Sequence, residues 1–119
     1  LYPSDYSAYY SLGNARIHLK QYRRAIADFN HAIQLSPNDA HAYKNRGNAY
    51  YGLKQYQQAI KDLTQSIRLN PALAEAYDKR GNAYLLSGTT LQGCRDLTTA
   101  CSMGVCGGYE FARQKRWCK

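Results

Sequence analysis

The chain has 119 residues, with 16 Lys and Arg against 8 Asp and Glu, a net charge of +8. That length fits one domain, and no apolar run approaches the roughly 20 residues that a membrane span needs. The charge favours acidic partners, nucleic acid or anionic surfaces without choosing among them.

From the first helix onward, residues recur at a spacing of 34. Tyr9, Tyr43 and Tyr77 stand in register, as do Gly13, Gly47 and Gly81, then Asn14, Asn48 and Asn82, then Asp28, Asp62 and Asp96. A period of this kind marks stacked supersecondary units, and it points to a surface that binds rather than a pocket that reacts. Leu1, Pro3 and Asp5 align with Leu35, Pro37 and Asp39. Residues 1–5 therefore read as the end of an earlier repeat, and with no initiator Met at least one repeat is expected upstream. The first unit, 6–39, is expected to form helices near 6–19 and 22–35.

The second unit, 40–73, shows the reasoning most clearly. Ala42, Tyr43, Gly47, Ala49 and Tyr50 have helical spacing up to Leu53, and Lys54-Gln55 makes a short turn. From Tyr56 to Leu69, Ala59, Ile60, Leu63 and Ile67 form a second apolar stripe. Asn70-Pro71 ends it, because proline disfavours helix at the residue before it. Gly47 and Ala59 should fall where the two helices cross, so that their backbones come close. The third unit, 74–105, repeats the pattern with helices near 74–87 and 90–102. Val105 stands where a fourth linker proline would fall, so the array stops there. Residues 106–119 follow no repeat. A short capping helix is expected within Gly107 to Trp117, with Tyr109, Ala112 and Arg116 on one side and Phe111 and Cys118 on another.

All four cysteines lie in the last 26 residues. Cys94 and Cys101 replace Ile26/Ile60 and Ile33/Ile67 of the earlier units. They sit on one helix face about 10 Å apart along its axis. A lid folding back antiparallel would bring Cys118 to Cys94 and Cys106 to Cys101, one of three possible connectivities. Two bridges imply an oxidising compartment: periplasmic, cell-surface or secreted. Reduced, buried cysteines are the alternative and would allow a cytoplasmic protein. Zinc fits poorly, because structural sites favour a close C-x2–4-C pair and the gaps here are six, four and eleven residues. No C-x-x-C redox motif is present.

Chemistry is not indicated elsewhere. His18, His31 and His41 lack an accompanying acidic constellation, no Gly-rich phosphate loop follows a strand, and no nucleophile–histidine–acid set can be assembled. The chain is expected not to be an enzyme and to use no cofactor or metal. Asp28, Asp62 and Asp96 fall on second helices and should make polar links between helices.

The strings YKNRGNAYYGLKQYQQAIKDLTQSIRLNP and YDKRGNAYLLSG closely resemble the tetratricopeptide repeat family. Its Trp/Tyr, Leu, Gly, Tyr, Ala, Phe, Ala, Pro series appears as Tyr43, Arg46, Gly47, Tyr50, Ala59, Leu63, Ser66 and Pro71 in the second unit. The first unit departs at Arg16, a cation where an aromatic usually packs. The looser string ACSMGVCGGYEFARQKRWC is similar to the endings of bacterial members of the family. The resemblance implies an all-α fold: a right-handed α-solenoid of three antiparallel helix pairs with a C-terminal capping helix. It also implies a concave groove, lined by the first helix of each unit, that holds a peptide or protein partner. Carried over by position, that groove takes Ser7, Tyr10, Ser11, Asn14, Ile17 and His18 from the first unit. The second gives His41, Lys44, Asn45, Asn48 and Tyr51, and the third Glu75, Asp78, Lys79, Asn82, Leu85 and Leu86. Asn14, Asn48 and Asn82 would form a ladder of amides able to pair with a peptide backbone. Some family members grip a C-terminal carboxylate through five groove positions. Asn14, Asn45 and Lys79 match in kind, but Tyr10 and Glu75 stand where that clamp uses lysine. Two other readings compete. Nucleic-acid binding would draw on the charge and the tyrosines, but Glu75 and Asp78 enter the groove. Self-association into a homo-oligomer would use the open face of residues 6–19.

Overall fold

Each period folds as two helices, and the computed structural model describes them over residues 5–119. The order is α1 (Tyr6–His18), α2 (Tyr22–Leu35), α3 (Ala40–Gly52), α4 (Tyr56–Leu69), α5 (Ala74–Leu86), α6 (Thr90–Ser102) and α7 (Gly107–Gln114). Among the described residues there is no strand. The reading of Leu1 and Pro3 as the remnant of an earlier repeat lies outside the described residues.

The helix ends have identifiable causes. Asp5 caps α1 by accepting from the Ala8 amide at 3.0 Å, and its register partner Asp39 caps α3 through the His41 amide at 2.9 Å. The first helices end one residue before the expected 19, 53 and 87, because Leu19, Leu53 and Ser87 serve as C-caps. The turns that follow place Lys20, Lys54 and Gly88 in register, all with left-handed backbone (φ 59°, 60° and 93°). The next amide then bonds back into the helix: Gln21 to Arg16 at 2.8 Å, Gln55 to Tyr50 at 3.0 Å and Thr89 to Tyr84 at 2.8 Å.

Packing explains the recurring glycines. Phe29, Leu63 and Leu97 are fully buried and stand in register. A Cβ on Gly13 would meet the Phe29 ring at 2.8 Å, one on Gly47 the Leu63 side chain at 2.9 Å, and one on Gly81 the Leu97 side chain at 2.8 Å. The close crossing outweighs the cost of about 1 kcal/mol for glycine inside a helix. Ala49 joins the core of the preceding pair with Ala25 and Phe29, and Ala76 joins Ala59 and Leu63. This nearest-neighbour packing builds a solenoid of helix pairs, 49 × 25 × 20 Å in extent.

The three register aspartates are buried, and each takes an arginine. Arg46 bonds Asp62 with both arms at 2.7 Å, and Arg80 bonds Asp96 at 2.7 and 2.8 Å. The remaining arm of each reaches the preceding pair, Arg46 to Asn30 at 2.9 Å and Arg80 to Thr64 at 3.2 Å. Hydrogen bonding to Asp62 and Asp96 holds both guanidinium pKa values above normal, against the opposing effect of burial. The first unit has Leu12 at the arginine position. Arg16, one helical turn later, reaches Asp28 instead, with one nitrogen at 3.0 and 3.2 Å from the two oxygens. The departure at Arg16 is thus an ion pair shifted by one turn.

At the other end α7 packs on α6 and α5. Cys94–Cys118 and Cys101–Cys106 are bridged, with Cα separations of 5.6 and 4.0 Å, in the expected connectivity. The faces of the lid need correction. Ala112 and Cys118 are both buried, clustered with Leu97 and packed by Tyr109, whereas Arg116 is exposed. The reason is that α7 ends at Gln114. Arg116 turns left-handed (φ 62°), and the Trp117 amide bonds back to Ala112 at 2.9 Å, which swings Cys118 inward. Phe111 stays outside, edge-on to Trp117.

Candidate functional site

The array has an inner and an outer side. α1 touches α3, and α3 touches α5, while the second helices make no such contact with one another. The first helices therefore converge and line the concave face.

Two clusters of side chains occupy that face. In the first, Asn45 donates one amide hydrogen to Tyr10 Oη at 3.0 Å and the other to Asn14 Oδ1 at 2.9 Å, linking α3 to α1. Among the described residues this leaves Asn45 Oδ1, the Asn14 amide nitrogen and the Tyr10 hydroxyl hydrogen uncommitted. In the second, Lys79 Nζ stands 5.0 Å from the centre of the Tyr51 ring, a cation–π contact between α5 and α3. Asn48 Oδ1 is buried nearby and has no hydrogen-bond partner among the described residues. Burial pushes the Tyr51 pKa up, with Tyr56 and Asp78 adding to it, so the hydroxyl remains a donor at neutral pH. A cleft of 440 Å³ joins Asn48, Tyr51 and Lys79 to Ile17, Gly52 and Leu86.

The other expected groove residues are placed differently. Lys44 is committed to Glu75 at 3.1 Å across α3 and α5. His18 is exposed, with Nδ1 at 2.8 Å from the Asn14 carbonyl of its own helix. His41 is exposed at the start of α3, and the two histidines form no cluster. Asn82 is half-buried, so the amide ladder is in register but its members do not bond one another; the link from α3 to α1 runs through Asn45 instead. Asp78 lies under the lid with its carboxyl buried beside the Gly108 amide, and a Cβ on Gly108 would collide with Oδ1. Desolvation raises the Asp78 pKa, opposed by Lys79 and by the Gly108 amide.

Sequence reasoning missed the Asn45 bridge and the cleft. The signal for the cleft was Gly52, a gap in register between His18 and Leu86. The Tyr22 ring fills the space where a Gly52 side chain would begin, and lines the cleft with Lys54 and Tyr56. Among the described residues no three His, Cys, Asp or Glu side chains gather where they could hold a metal ion, and no helix is long and apolar enough to cross a membrane.

The family model of the tetratricopeptide repeat matches residues 40–73, and a second, TPR repeat, matches residues 13–54. The chain belongs to the tetratricopeptide repeat family. Among solved structures it is similar to the Arabidopsis OM64 TPR domain, with a TM-score of 0.88, 26% identity and coverage of 94% of this chain and 93% of that one. It is also similar to the second TPR domain of human RPAP3 in complex with the HSP70 peptide SGPTIEEVD (TM-score 0.75, 29% identity, 79% and 78% covered). The second TPR of Spaghetti (RPAP3) bound to the HSP90 peptide SRMEEVD is a further likeness (TM-score 0.80, 28% identity, 82% and 91% covered). No curated protein sequence matches the chain. The tetratricopeptide fold is in general a protein-interaction scaffold.

Proposed function

We propose that this tetratricopeptide chain binds a peptide or an extended segment of a partner protein along the inner face of α1, α3 and α5. One observation carries the reading: hydrogen-bonding groups on that face are held in place yet left unspent. Asn45 is locked by Tyr10 and Asn14 with its oxygen free, and Asn48 Oδ1 lacks a donor. A peptide backbone supplies both an N–H and a C=O, so it satisfies such amides whatever its sequence. The similar RPAP3 and Spaghetti domains, bound to chaperone peptides, support a peptide as the ligand.

The ligand is held by its backbone and by side chains of mixed polarity rather than by a C-terminal carboxylate. Glu75 is 70% exposed and presents negative charge where a carboxylate would sit, with Lys44 already spent on it. The division into units 6–39, 40–73 and 74–105 with a cap at 106–119 goes with this reading. So does an oxidising compartment, from the two bridges. No catalytic step is assigned.

The experiment selects ligands from a displayed random-peptide library on the whole chain. The selected peptide is then titrated against Asn48→Ala and Asn82→Ala. Loss of affinity in Asn48→Ala supports the reading. Unchanged affinity in both variants, or a library that yields no binder, defeats it. The peptide SRMEEVD is then compared with its C-terminal amide. Equal affinities are expected, and a clear preference for the free carboxylate would contradict the role given to Glu75.

A further inference from the structure

The inner-face cleft at Asn48 is built from register positions, and those positions recur one repeat later. Tyr51, Gly52 and Tyr56 stand on its near side, and Leu86 of the next first helix closes the far side. In the following unit Tyr51, Gly52 and Tyr56 become Leu85, Leu86 and Thr90. A second cleft, of 310 Å³, is lined by those three residues and by Trp117. Where a fourth unit would supply the closing helix, α7 packs on α5 as α5 packs on α3. Trp117, just beyond the end of α7, takes the place that Leu86 holds in the first cleft. Leu86 lines both clefts, so they are neighbours along one face.

The two clefts differ in chemistry. Asn48, Lys54 and Lys79 make the first polar and cationic. The second is walled by two leucines, a threonine and a tryptophan, none of them charged. Leu86 is 52% exposed and Trp117 46%, so apolar surface stands open there. Trp117 is also held in place. Its amide bonds back to Ala112 at 2.9 Å, Phe111 meets its ring edge-on at 5.8 Å, and the next residue, Cys118, is bridged to Cys94. A rigid aromatic wall loses little entropy when a ligand arrives.

On the footing of a peptide bound along the inner face, we propose that the lid is part of the groove. Trp117 and Leu86 take a large apolar side chain of the same peptide whose backbone meets Asn48. Neighbouring helices stand about 10 Å apart, and an extended chain advances about 3.3 Å per residue. The apolar residue therefore lies about three positions from the one at Asn48. Lid and repeats together set the ligand class: an extended peptide with leucine, methionine or an aromatic residue on one flank of its polar contact.

The probes are peptides selected on the whole chain from a displayed random library that lacks tryptophan. Selected peptides should share a large apolar residue, and binding should shift the emission of Trp117, the chain's single tryptophan, to the blue. Affinities are measured by calorimetry. Serine in place of the apolar residue should weaken binding about tenfold. Trp117→Ala should do the same, as should Thr90→Arg, which puts a charged side chain into the second cleft alone. Both positions are exposed, so melting should not change. Trp117→Phe should keep most of the affinity. The serine peptide should lose little more on Trp117→Ala, because groups in contact do not act additively. Binding that falls in Asn48→Ala but stays full in Trp117→Ala and Thr90→Arg overturns the role of the lid and leaves the groove itself standing. Additive losses from the serine peptide and Trp117→Ala overturn it as well. Binding that needs Trp117 but not Asn48 would make the lid cleft a separate site, against one continuous groove. A library without binders removes the groove and the proposal with it.

Discussion

Replacing Arg46 by methionine should destabilise the fold more than the same change at Arg16. Arg46 makes two bonds of 2.7 Å to Asp62 and a third to Asn30, so it holds α2, α3 and α4 together. Its side chain is 21% exposed and that of Asp62 only 7%. Methionine keeps most of the packing volume but leaves a buried carboxylate without its partner. Breaking a pair of this kind costs about 3 kcal/mol, and little discount for solvent screening applies because both groups are mostly covered. Arg16 reaches Asp28 through one nitrogen only, with 29% of its side chain exposed, and it has no bond to another pair. Asp28 is as covered as Asp62, so the loss of Arg16 still strands a carboxylate, but with one weaker contact and no tie to a second pair it should cost about 2 kcal/mol. Urea unfolding followed by far-ultraviolet circular dichroism measures both. Replacing Asp62 together with Arg46 by apolar residues should recover part of the loss, because no buried charge then stands alone. Equal losses for the two arginine variants, or less than about 1 kcal/mol for Arg46→Met, would refute the argument that burial and bidentate geometry set the cost.

Lys54→Gly should raise stability by up to about 1 kcal/mol, because Lys54 holds a left-handed turn where the third unit has Gly88; a lower melting temperature would contradict this. Removing the bridge across α6 and the tail with Cys94→Ser and Cys118→Ser should cost about 3 kcal/mol, given its sequence separation of 24. Hydrogen exchange at the α7 amides should then rise well before exchange in α3, and uniform exchange would argue that the lid is not the part released. An intact mass taken without reductant should show no free thiol, and four free thiols would remove both bridges. Burial raises the Asp78 pKa, so its ionisation is a cost to the folded state that appears as pH rises through the folded value. Asp78→Asn should therefore stabilise the chain near pH 7, with the gain fading as pH falls towards the ordinary carboxylate range of about pH 4 and absent below it. A gain that grows in acid would reverse the sign of the argument.

The helices were legible because their causes are local. Apolar spacing, the Asn70-Pro71 stop and the recurring Gly47 against Leu63 all act within one unit, and the starts at 6, 22, 40, 56, 74 and 90 follow directly. The cysteine pairing was legible for the same reason, since Cys94 and Cys101 had to share a helix face. The side-chain links were not. Whether Asn45 bonds Asn14 or Asn48 bonds Asn82 depends on how far apart neighbouring helices settle, and register does not encode that distance. Arg16 looked out of place because one turn of helix lets a long side chain reach the same carboxylate from another position. The lid was misread because α7 unwinds at Arg116, and no proline or glycine there announces the turn.

Both covalent bridges sit at one end of a structure in which each helix pair leans only on its neighbours. The array therefore has a direction. Among the described residues α1 is flanked on one side only, and Ala15 is exposed where Ala49 and Ala83 are buried. The stapled end is the anchor from which order grows back. A ligand lying across the inner face would be held longest beside that stapled end, at α5.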